Sequence, residues 1–492
     1  MNRFGLVYLL ALMGCCSVRG ADIPQPLFGV TPVVSNLIVR ARAANPLLDA
    51  EAARVEAAVY DADAVDGFYD TALAAASGFA EGPLRTPGSA LPGVAPTESW
   101  VAEVTATRPL RQGVRLRASI ARWDSIGGGA VDNAAGTVAG MSVEKPLLRD
   151  RSFASQRLDA EAAAHGTERA RAWQVAVWQD TCHAVIRAYA DWLAAQAEFT
   201  ESLASSARVA RIVEETETRV KLETTPAYQL AAARMEVAFR QDELHQASAA
   251  IQTMRIRLEE LAGGSLPADI LPVPAPDELR RWAEACLTAG RAAPVALAVP
   301  DRPEWLAAVA AADEADARAR RAREDLKSDL SFVAGVGLRV SSAPSASTDP
   351  DLAWEAGLVW RRPLGFDSER ARAAAREADA RAAQADLAVI ALRVAAEHAR
   401  AVVAFASACD RLDSVDRAVE EALTSLDAES DRFRLGEGRS RLVLDAQKDL
   451  SAATRRANAA AAETIRAFAD LVRAAGVPVA PLYAKDATRE VP

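Results

Sequence analysis

Ser368-Glu369-Arg370-Ala371-Arg372-Ala373-Ala374-Ala375-Arg376-Glu377 opens a run that continues to Arg434 without a proline or a glycine. Alanine, arginine and glutamate are good helix formers, and nothing in the run stops a helix once begun. At 1.5 Å per residue it would reach about 100 Å. A helix of that length has no place inside a compact domain. Ser152 to Arg219 is a second such run, free of proline and holding a single glycine, Gly166. Tyr189, Trp192, Phe199 and Leu203 in the first run, and Ile390, Val394 and Val402 in the second, fall on predicted packed faces, with Arg, Glu and Asp outside. Each run is followed by a tip and a shorter helix, predicted over Ala227 to Leu261 and Arg441 to Ala475, that returns along it. Glu223, Thr224, Thr225 and Pro226 fill the first tip; Gly436 and Gly438 supply a permissive turn in the second.

The hairpins are parts of a longer duplication. Asn45-Pro46-Leu47-Leu48 begins an alanine-rich helical stretch that gives way near Tyr69-Asp70 to alternation ending at Ser77-Gly78. Arg302-Pro303-Glu304-Trp305 begins the same sequence of events 257 positions later, ending at Ala334-Gly335. Ala139 to Leu147 matches Ala356 to Leu364, and Thr218-Arg219-Val220-Lys221-Leu222 matches Asp431-Arg432-Phe433-Arg434-Leu435, after which Ala233 falls opposite Ala446. Each half reads helix, strands, Pro-Leu, long helix, tip, helix. The expected boundaries are a targeting segment over 1–20, an N-terminal segment over 21–43, a first repeat over 44–263 and a second over 302–476. Within the first repeat, strands occupy about 69–145 and helices about 152–221 and 227–261; within the second, strands occupy about 327–361 and helices about 368–434 and 441–475. A linker or equatorial segment, 264–301, joins them, and 477–492 form a tail.

The strands alternate cleanly. Leu330, Phe332, Ala334, Val336 and Leu338 share one face, with small or polar residues between them. Val114, Leu116, Ala118 and Ile120 alternate with Arg115, Arg117 and Ser119; Trp354, Ala356, Leu358 and Trp360 alternate with Glu355, Gly357 and Arg361. Segments of about ten residues, apolar on one face and bounded by tryptophan, suit tilted strands across an outer membrane. A soluble sandwich suits alternation equally well. Five or six strands are too few for a membrane barrel, which needs about eight, so either the sheet is open and soluble or several chains share one barrel. The long helices favour sharing. Both Trp100 to Leu110 and Ala139 to Leu147 match the second-half strand before Pro363, so a hairpin, roughly Val114 to Val143, is inserted in the first half. Its effect on an external loop or on the strand count is open from the sequence.

Composition narrows the function. The 492 residues carry 57 bases against 67 acids, a formal charge of -10, which offers no excess of cations for a nucleic acid. Met1-Asn2-Arg3, the apolar Phe4 to Met13, and Gly14-Cys15-Cys16 form an export signal too short to span a membrane. Two processing readings are open: cleavage after Gly20, or lipidation of Cys15 behind Leu12-Met13-Gly14. Cys182, Cys286 and Cys409, widely spaced and odd in number, read as small buried residues rather than a disulfide or metal set. His165, His183, His245 and His398 are isolated, and no HExxH, GxSxG or P-loop is present, so no catalytic site, cofactor or metal is expected. Asp61 to Gly67 spaces its acids wrongly for a calcium loop and is read as a helix-to-strand junction.

The doubled order, with Asn45-Pro46, Lys145-Pro146-Leu147-Leu148-Arg149, Arg302-Pro303, Arg362-Pro363-Leu364 and the stretch Arg432-Phe433-Arg434-Leu435-Gly436-Glu437-Gly438-Arg439-Ser440 leading into Leu444-Asp445-Ala446-Gln447, resembles the TolC-type outer-membrane efflux proteins. The resemblance runs from about Thr31 to Gly476. It implies a mainly α fold with a β-barrel portion, in which three chains share one twelve-stranded outer-membrane barrel and their helices form a periplasmic tunnel. It also implies a homotrimer working with a periplasmic adaptor and an inner-membrane pump, as the exit duct for efflux or type I secretion, in contact with outer-membrane lipid. By the resemblance Asp445 stands at the tunnel aperture, with Leu442 where a second acid is usual and Gln229 where an acid joins the closing network. Arg439 and Arg441 are then candidates to pair with Asp445 or Glu437, and Leu222, Glu223, Leu435, Gly436 and Gly438 are tip positions for adaptor contact. Burial between helices would account for Leu222 and Leu435 as well, and a solvated carboxylate for Asp445. The rival from another class is a soluble periplasmic coiled-coil scaffold or adaptor with a small open sheet.

Overall fold

A computed structural model describes residues 32–81, 98–125, 135–223, 226–292, 302–342, 351–362, 365–435 and 439–476. The expected targeting segment with Cys15, the tip residues Thr224, Thr225, Gly436, Glu437 and Gly438, and the tail lie outside the described residues. Helices α1 (Pro32–Ala44) and α2 (Pro46–Asp66) lead into strands β1 (Ala72–Glu81), β2 (Glu98–Leu110), β3 (Val114–Ser125) and β4 (Ala135–Pro146). The hairpin α3 (Ala154–Lys221) and α4 (Ala227–Leu261) follows, then α5 (Glu278–Ala292) and α6 (Pro303–Glu324). Strands β5 (Asp329–Ser342) and β6 (Asp351–Arg361) precede the second hairpin, α7 (Asp367–Arg434) and α8 (Ser440–Ala474). Helices α3 and α7 each run for 68 residues, and α4 and α8 each for 35.

The chain divides into two compact units, and each draws on both repeats. One comprises Met1–Asp49, Ala176–Arg302 and Arg393–Pro492; the other comprises Ala50–Val175 and Pro303–Leu392. The first holds the main core. Tyr189 and Trp192 of α3 stack with ring centroids 5.6 Å apart, and Trp282 of α5 closes on Tyr189 at 5.7 Å. The Tyr189 hydroxyl donates to Glu278 Oε1 at 2.8 Å, and burial, with Glu278 beside it, pushes the phenol pKa upward. Around them Val34, Leu37, Ile186, Leu193, Ile465 and Phe468 are sealed from solvent, with many alanines of α8 between. Small side chains let helices approach closely, which is what the alanine content supplies. Cys182, Cys286 and Cys409 are free and buried here; burial pushes the first two thiols up to about 12.

The segment expected as a linker or equatorial segment contains a core helix. In α5, Leu279, Trp282, Ala283, Cys286 and Ala289 are all buried and recur at spacings of three and four. The start of each repeat is tied to the end of its own hairpin. Asn45 Nδ2 donates to the Leu261 carbonyl at 2.9 Å while its Oδ1 accepts the Leu47 amide, and Pro46 then begins α2. Arg302, 2% exposed, reaches Glu397 at 3.1 Å and the Ala474 carbonyl at 3.4 Å, and Pro303 begins α6. Proline suits a first helical position because the amide it lacks would have no helical partner. Gly263, at φ +79°, ends α4 so close to the Ala44 carbonyl that a Cβ would lie 2.1 Å from its oxygen.

All six strands among the described residues lie in the second unit and form one sheet. Its order is β1-β2-β3-β4-β5-β6, and every neighbouring pair is antiparallel. Strand β4 pairs with β5, so the two repeats contribute to one sheet. Among the described residues no second sheet packs on this one, so the strands seen there form a single layer. Six strands also depart from the four per chain that a twelve-stranded trimer implies. The extra pair is not a flap: β3 is laddered to β2 from Leu110↔Val114 to Ser99↔Ser125, and β4 to β5 from Pro146↔Ser331 to Ala135↔Ser342. Gly113, at φ +79°, closes the β2–β3 turn with its amide on the Leu110 carbonyl at 2.9 Å, and a Cβ there would meet the Ser152 backbone at 2.3 Å.

Alanines also dominate the packed face of α6, and ion pairs hold its polar side. Arg320 pairs with Glu161 of α3 at 2.5 Å, Arg321 with Asp159 at 3.1 Å, and Arg323 with Glu377 of α7 at 2.6 Å. Hydrogen bonding from Arg320 draws the Glu161 carboxyl below its usual range.

Candidate membrane belt and aperture

Side chains directly opposite in a ladder share a face, so the register maps both surfaces of the sheet. One row reads Leu73, Ala106, Ala118, Met141, Val336, Trp354 from β1 to β6. The next reads Ala75, Val104, Ile120, Ala139, Leu338, Leu352. Two further rows bring in Leu116, Val143, Ala334, Ala356, and Phe332 with Leu358. This face carries an apolar belt across all six strands, yet it is uncovered: Leu73, Ile120, Met141, Val336, Leu352, Trp354 and Leu358 are all exposed. Patches of this extent are costly in water and mark contact with lipid or protein.

The opposite face is small and polar. Its rows are Ala74, Thr105, Ser119, Gly140, Gly337, Ala353, and Ala76, Glu103, Ala121, Val138, Arg339, Asp351. Arg115 and Glu144 pair on it at 2.9 Å across β3 and β4, and the Trp123 ring lies over Gly136, where a Cβ would collide with it at 2.5 Å. One face for lipid and one for water is the pattern of a membrane barrel wall. No helix among the described residues is long and apolar enough to cross a membrane.

Where strand gives way to long helix, both repeats use the same strained device. Phe153 before α3 has φ +53° and Phe366 before α7 has φ +64°, a conformation that bulky side chains rarely adopt. Both rings are buried, and each lies under a guanidinium, Arg115 at 6.0 Å and Arg362 at 5.7 Å. The sequence reading passed over this pair, although Phe153 and Phe366 are separated by the same offset as Thr218 and Asp431.

The helix tips lie in the first unit. Arg219 near the end of α3 places its guanidinium 3.8 Å from the Phe433 ring centroid and donates to the Phe433 carbonyl at 2.7 Å, joining the ends of α3 and α7. Beneath it Ile212, Leu426, Phe433, Val443, Ala446 and Leu450 form a small core. Gln229 Oε1 accepts from the Ser440 hydroxyl at 3.1 Å, so this position links the starts of α4 and α8 rather than a charged lock. Arg439 is the extended residue ahead of α8, and its carbonyl accepts the Leu442 amide at 3.0 Å. Asp445 Oδ2 stands 3.8 Å from Arg441 Nε with both side chains mostly in solvent, and Leu442 is exposed beside them. That separation is an ion pair without a hydrogen bond, worth little in water. Leu222 and Leu435 are 67% and 75% exposed, so burial between helices of this chain does not account for them. Glu223, at φ +57°, turns the chain out of α3 with its amide on the Val220 carbonyl.

Comparisons with known proteins bear on the fold. Residues 296–477 match the family model described as outer membrane efflux protein. The fold is similar to that of the outer-membrane channel OprN, with a TM-score of 0.67 at 20% identity over 93% of each chain. It is likewise similar to the outer membrane protein VceC of Vibrio cholerae, with a TM-score of 0.65 at 17% identity over 90% of this chain and 96% of that one. The MtrE outer membrane channel of Neisseria gonorrhoeae aligns with a TM-score of 0.64 at 18% identity over 90% and 89%. A sequence comparison with curated proteins finds no match.

Proposed function

We propose, for a chain whose residues 296–477 match the outer membrane efflux protein model and whose fold is similar to that of an outer-membrane channel over 93% of its length, that it is one protomer of a trimeric exit duct in the outer membrane. The observation that carries this reading is the sheet: an uncovered apolar belt on one face, a small and polar opposite face, and no way for six strands to close a barrel alone. Strands in lipid must have every backbone group paired, so neighbouring copies have to complete the wall. The helical hairpins form the periplasmic tunnel of an efflux assembly.

Transport of this kind involves no bond chemistry. Cargo moves through water, and side chains at the narrowest point set the barrier electrostatically. Three copies of Asp445, each loosely paired with Arg441, supply a modest cation-attracting ring at the tips. The exposed Leu222 and Leu435 are the apolar contacts offered to a periplasmic adaptor. Membrane fractionation tests the whole reading: a heat-modifiable oligomer in the outer-membrane fraction is expected, and full recovery in the soluble periplasm would overturn it.

A further inference from the structure

The duplicated sequence and the ladder together bear on how many strands each chain brings to the wall. In the sequence a basic-Pro-Leu triplet closes or directly follows each of β2, β4 and β6: Arg108-Pro109-Leu110, Lys145-Pro146-Leu147 and Arg362-Pro363-Leu364. In the chain, β4 leads to α3 as β6 leads to α7, so β2 holds a strand ending of the same kind with no helix after it. Between the first two triplets lies one complete hairpin. That hairpin is interior to the sheet, hydrogen-bonded on both sides, and it carries the belt through Leu116, Ala118, Ile120, Ala139, Met141 and Val143.

The sheet ends in two open edges, β1 and β6. Because six strands alternate in direction, β1 and β6 run opposite to each other. Placing β6 of one copy beside β1 of the next therefore continues the antiparallel order without a break. The edges are of similar length, 10 and 11 residues. Natural edge strands exposed to water are guarded by charge or proline. In β1 the first nine residues, Ala72 to Ala80, have neither, and Glu81 at the end is its one charge; in β6 the charges Asp351, Glu355 and Arg361 all fall on the face opposite the belt. The belt also reaches both edges, through Leu73 and Ala75 on one and Leu352 and Trp354 on the other, on the same side of the sheet. Lipid cannot satisfy an open backbone edge, and an edge that continues the belt is suited to another copy of this chain.

We infer that three copies close an eighteen-stranded barrel, β6 of each pairing with β1 of the next, in place of the twelve strands that four per chain would give. The inference rests on the exit-duct reading above. Barrel diameter grows nearly in proportion to strand number, so the wall is about one and a half times as wide as a twelve-stranded one. The inserted hairpin thus enlarges the mouth of the duct.

Cryo-electron microscopy of the full chain in lipid nanodiscs, with native mass spectrometry for copy number, tests this. A trimer with eighteen strands is expected. A trimer with twelve strands, the β3–β4 hairpin lying outside the wall, overturns the inference and leaves the exit duct intact. A dimer with twelve strands overturns the inference and the trimer with it. Failure to insert into lipid removes the exit-duct reading as well. A deletion of residues 110–146 fuses Pro109 to Leu147 and restores one basic-Pro-Leu ending before α3. Its barrel is expected at about two-thirds of the parent diameter; an unchanged diameter contradicts eighteen strands, and if the variant does not fold, the strand count of the parent still decides.

Discussion

In the sheet, Leu352, Trp354 and Leu358 stand on an open face, whereas in the helical unit Trp282, Ile186 and Phe468 are almost wholly sealed by their own chain. Both regions are apolar, but only the second is apolar for its own stability. The helical core removes its large side chains from water within one protomer, and alanines fill the gaps. The belt leaves an equally apolar surface for another phase to cover. A substitution of the same chemical kind therefore has different consequences in the two regions, in size and in what reveals it.

The largest effect belongs to the helical core. Trp282→Ala opens a cavity among α3, α5 and α8 and is expected to cost about 3–5 kcal/mol. Thermal unfolding of the helical signal measures it, in detergent, where the belt is already covered. The Trp282 indole N–H has no hydrogen-bond partner among the described residues, so Trp282→Phe is expected to cost under about 1.5 kcal/mol. A loss under about 1 kcal/mol for the alanine variant would break the contrast, because the core would then not be what holds this unit.

Next comes the belt. Ile120 and Ser119 are neighbours on β3 that face opposite sides of the sheet. If the belt faces lipid, as proposed, Ile120→Arg puts a cation there and is expected to cost about 2–4 kcal/mol of folding into vesicles. Ser119→Arg, on the small and polar face, is expected to change it by about 0.5 kcal/mol or less. Equal losses at the two positions would mean that one face is not in lipid. Neither variant is expected to alter unfolding of the helical unit.

A smaller, pH-dependent effect belongs to the helical unit's polar surface. Asp470 accepts from His183 at 2.6 Å and from Arg187 at 2.8 Å. Burial pushes its carboxyl pKa up, but the hydrogen bond from His183 and the charge of Arg187 outweigh that and hold it below its ordinary value. A depressed carboxylate stabilises the fold above its unfolded pKa and loses that contribution as pH falls through the folded one. Asp470→Asn is therefore expected to cost about 1 kcal/mol at neutral pH, with the difference from the parent shrinking below about pH 4. A difference independent of pH would assign the loss to packing.

The two regions were also unequally legible in the sequence. Helices α3 and α7 announce themselves because nothing between Ser368 and Arg434 can stop a helix, and each strand shows its own two faces. What alternation does not encode is who pairs with whom. The β4–β5 ladder joins residues nearly two hundred positions apart, and only the fold places the inserted hairpin inside the sheet. Helix α5 was hidden by the prolines before it, although Leu279, Trp282, Ala283 and Cys286 already mark a buried stripe. At the tips the resemblance singled out Gln229 and Asp445 as candidates, but the hydrogen bond from Ser440 and the Arg219–Phe433 stacking depend on side chains meeting across helices from different repeats.

The smallest expected effect on stability, and the most direct on transport, is at Asp445. Its carboxylate is largely solvated and its partner Arg441 is 3.8 Å away, so Asp445→Asn is expected to change unfolding by about 0.5 kcal/mol or less. If three such carboxylates ring the aperture, the same variant lowers cation preference in planar-bilayer recordings and weakens block by multivalent cations. Screening makes the difference greatest at low salt, since at 1 M the Debye length is only about 3 Å. Arg441→Gln, which removes the counter-charge, is expected to shift the preference the other way. An unchanged reversal potential and block in both variants would take this pair out of the aperture and leave it an ordinary solvated ion pair on α8.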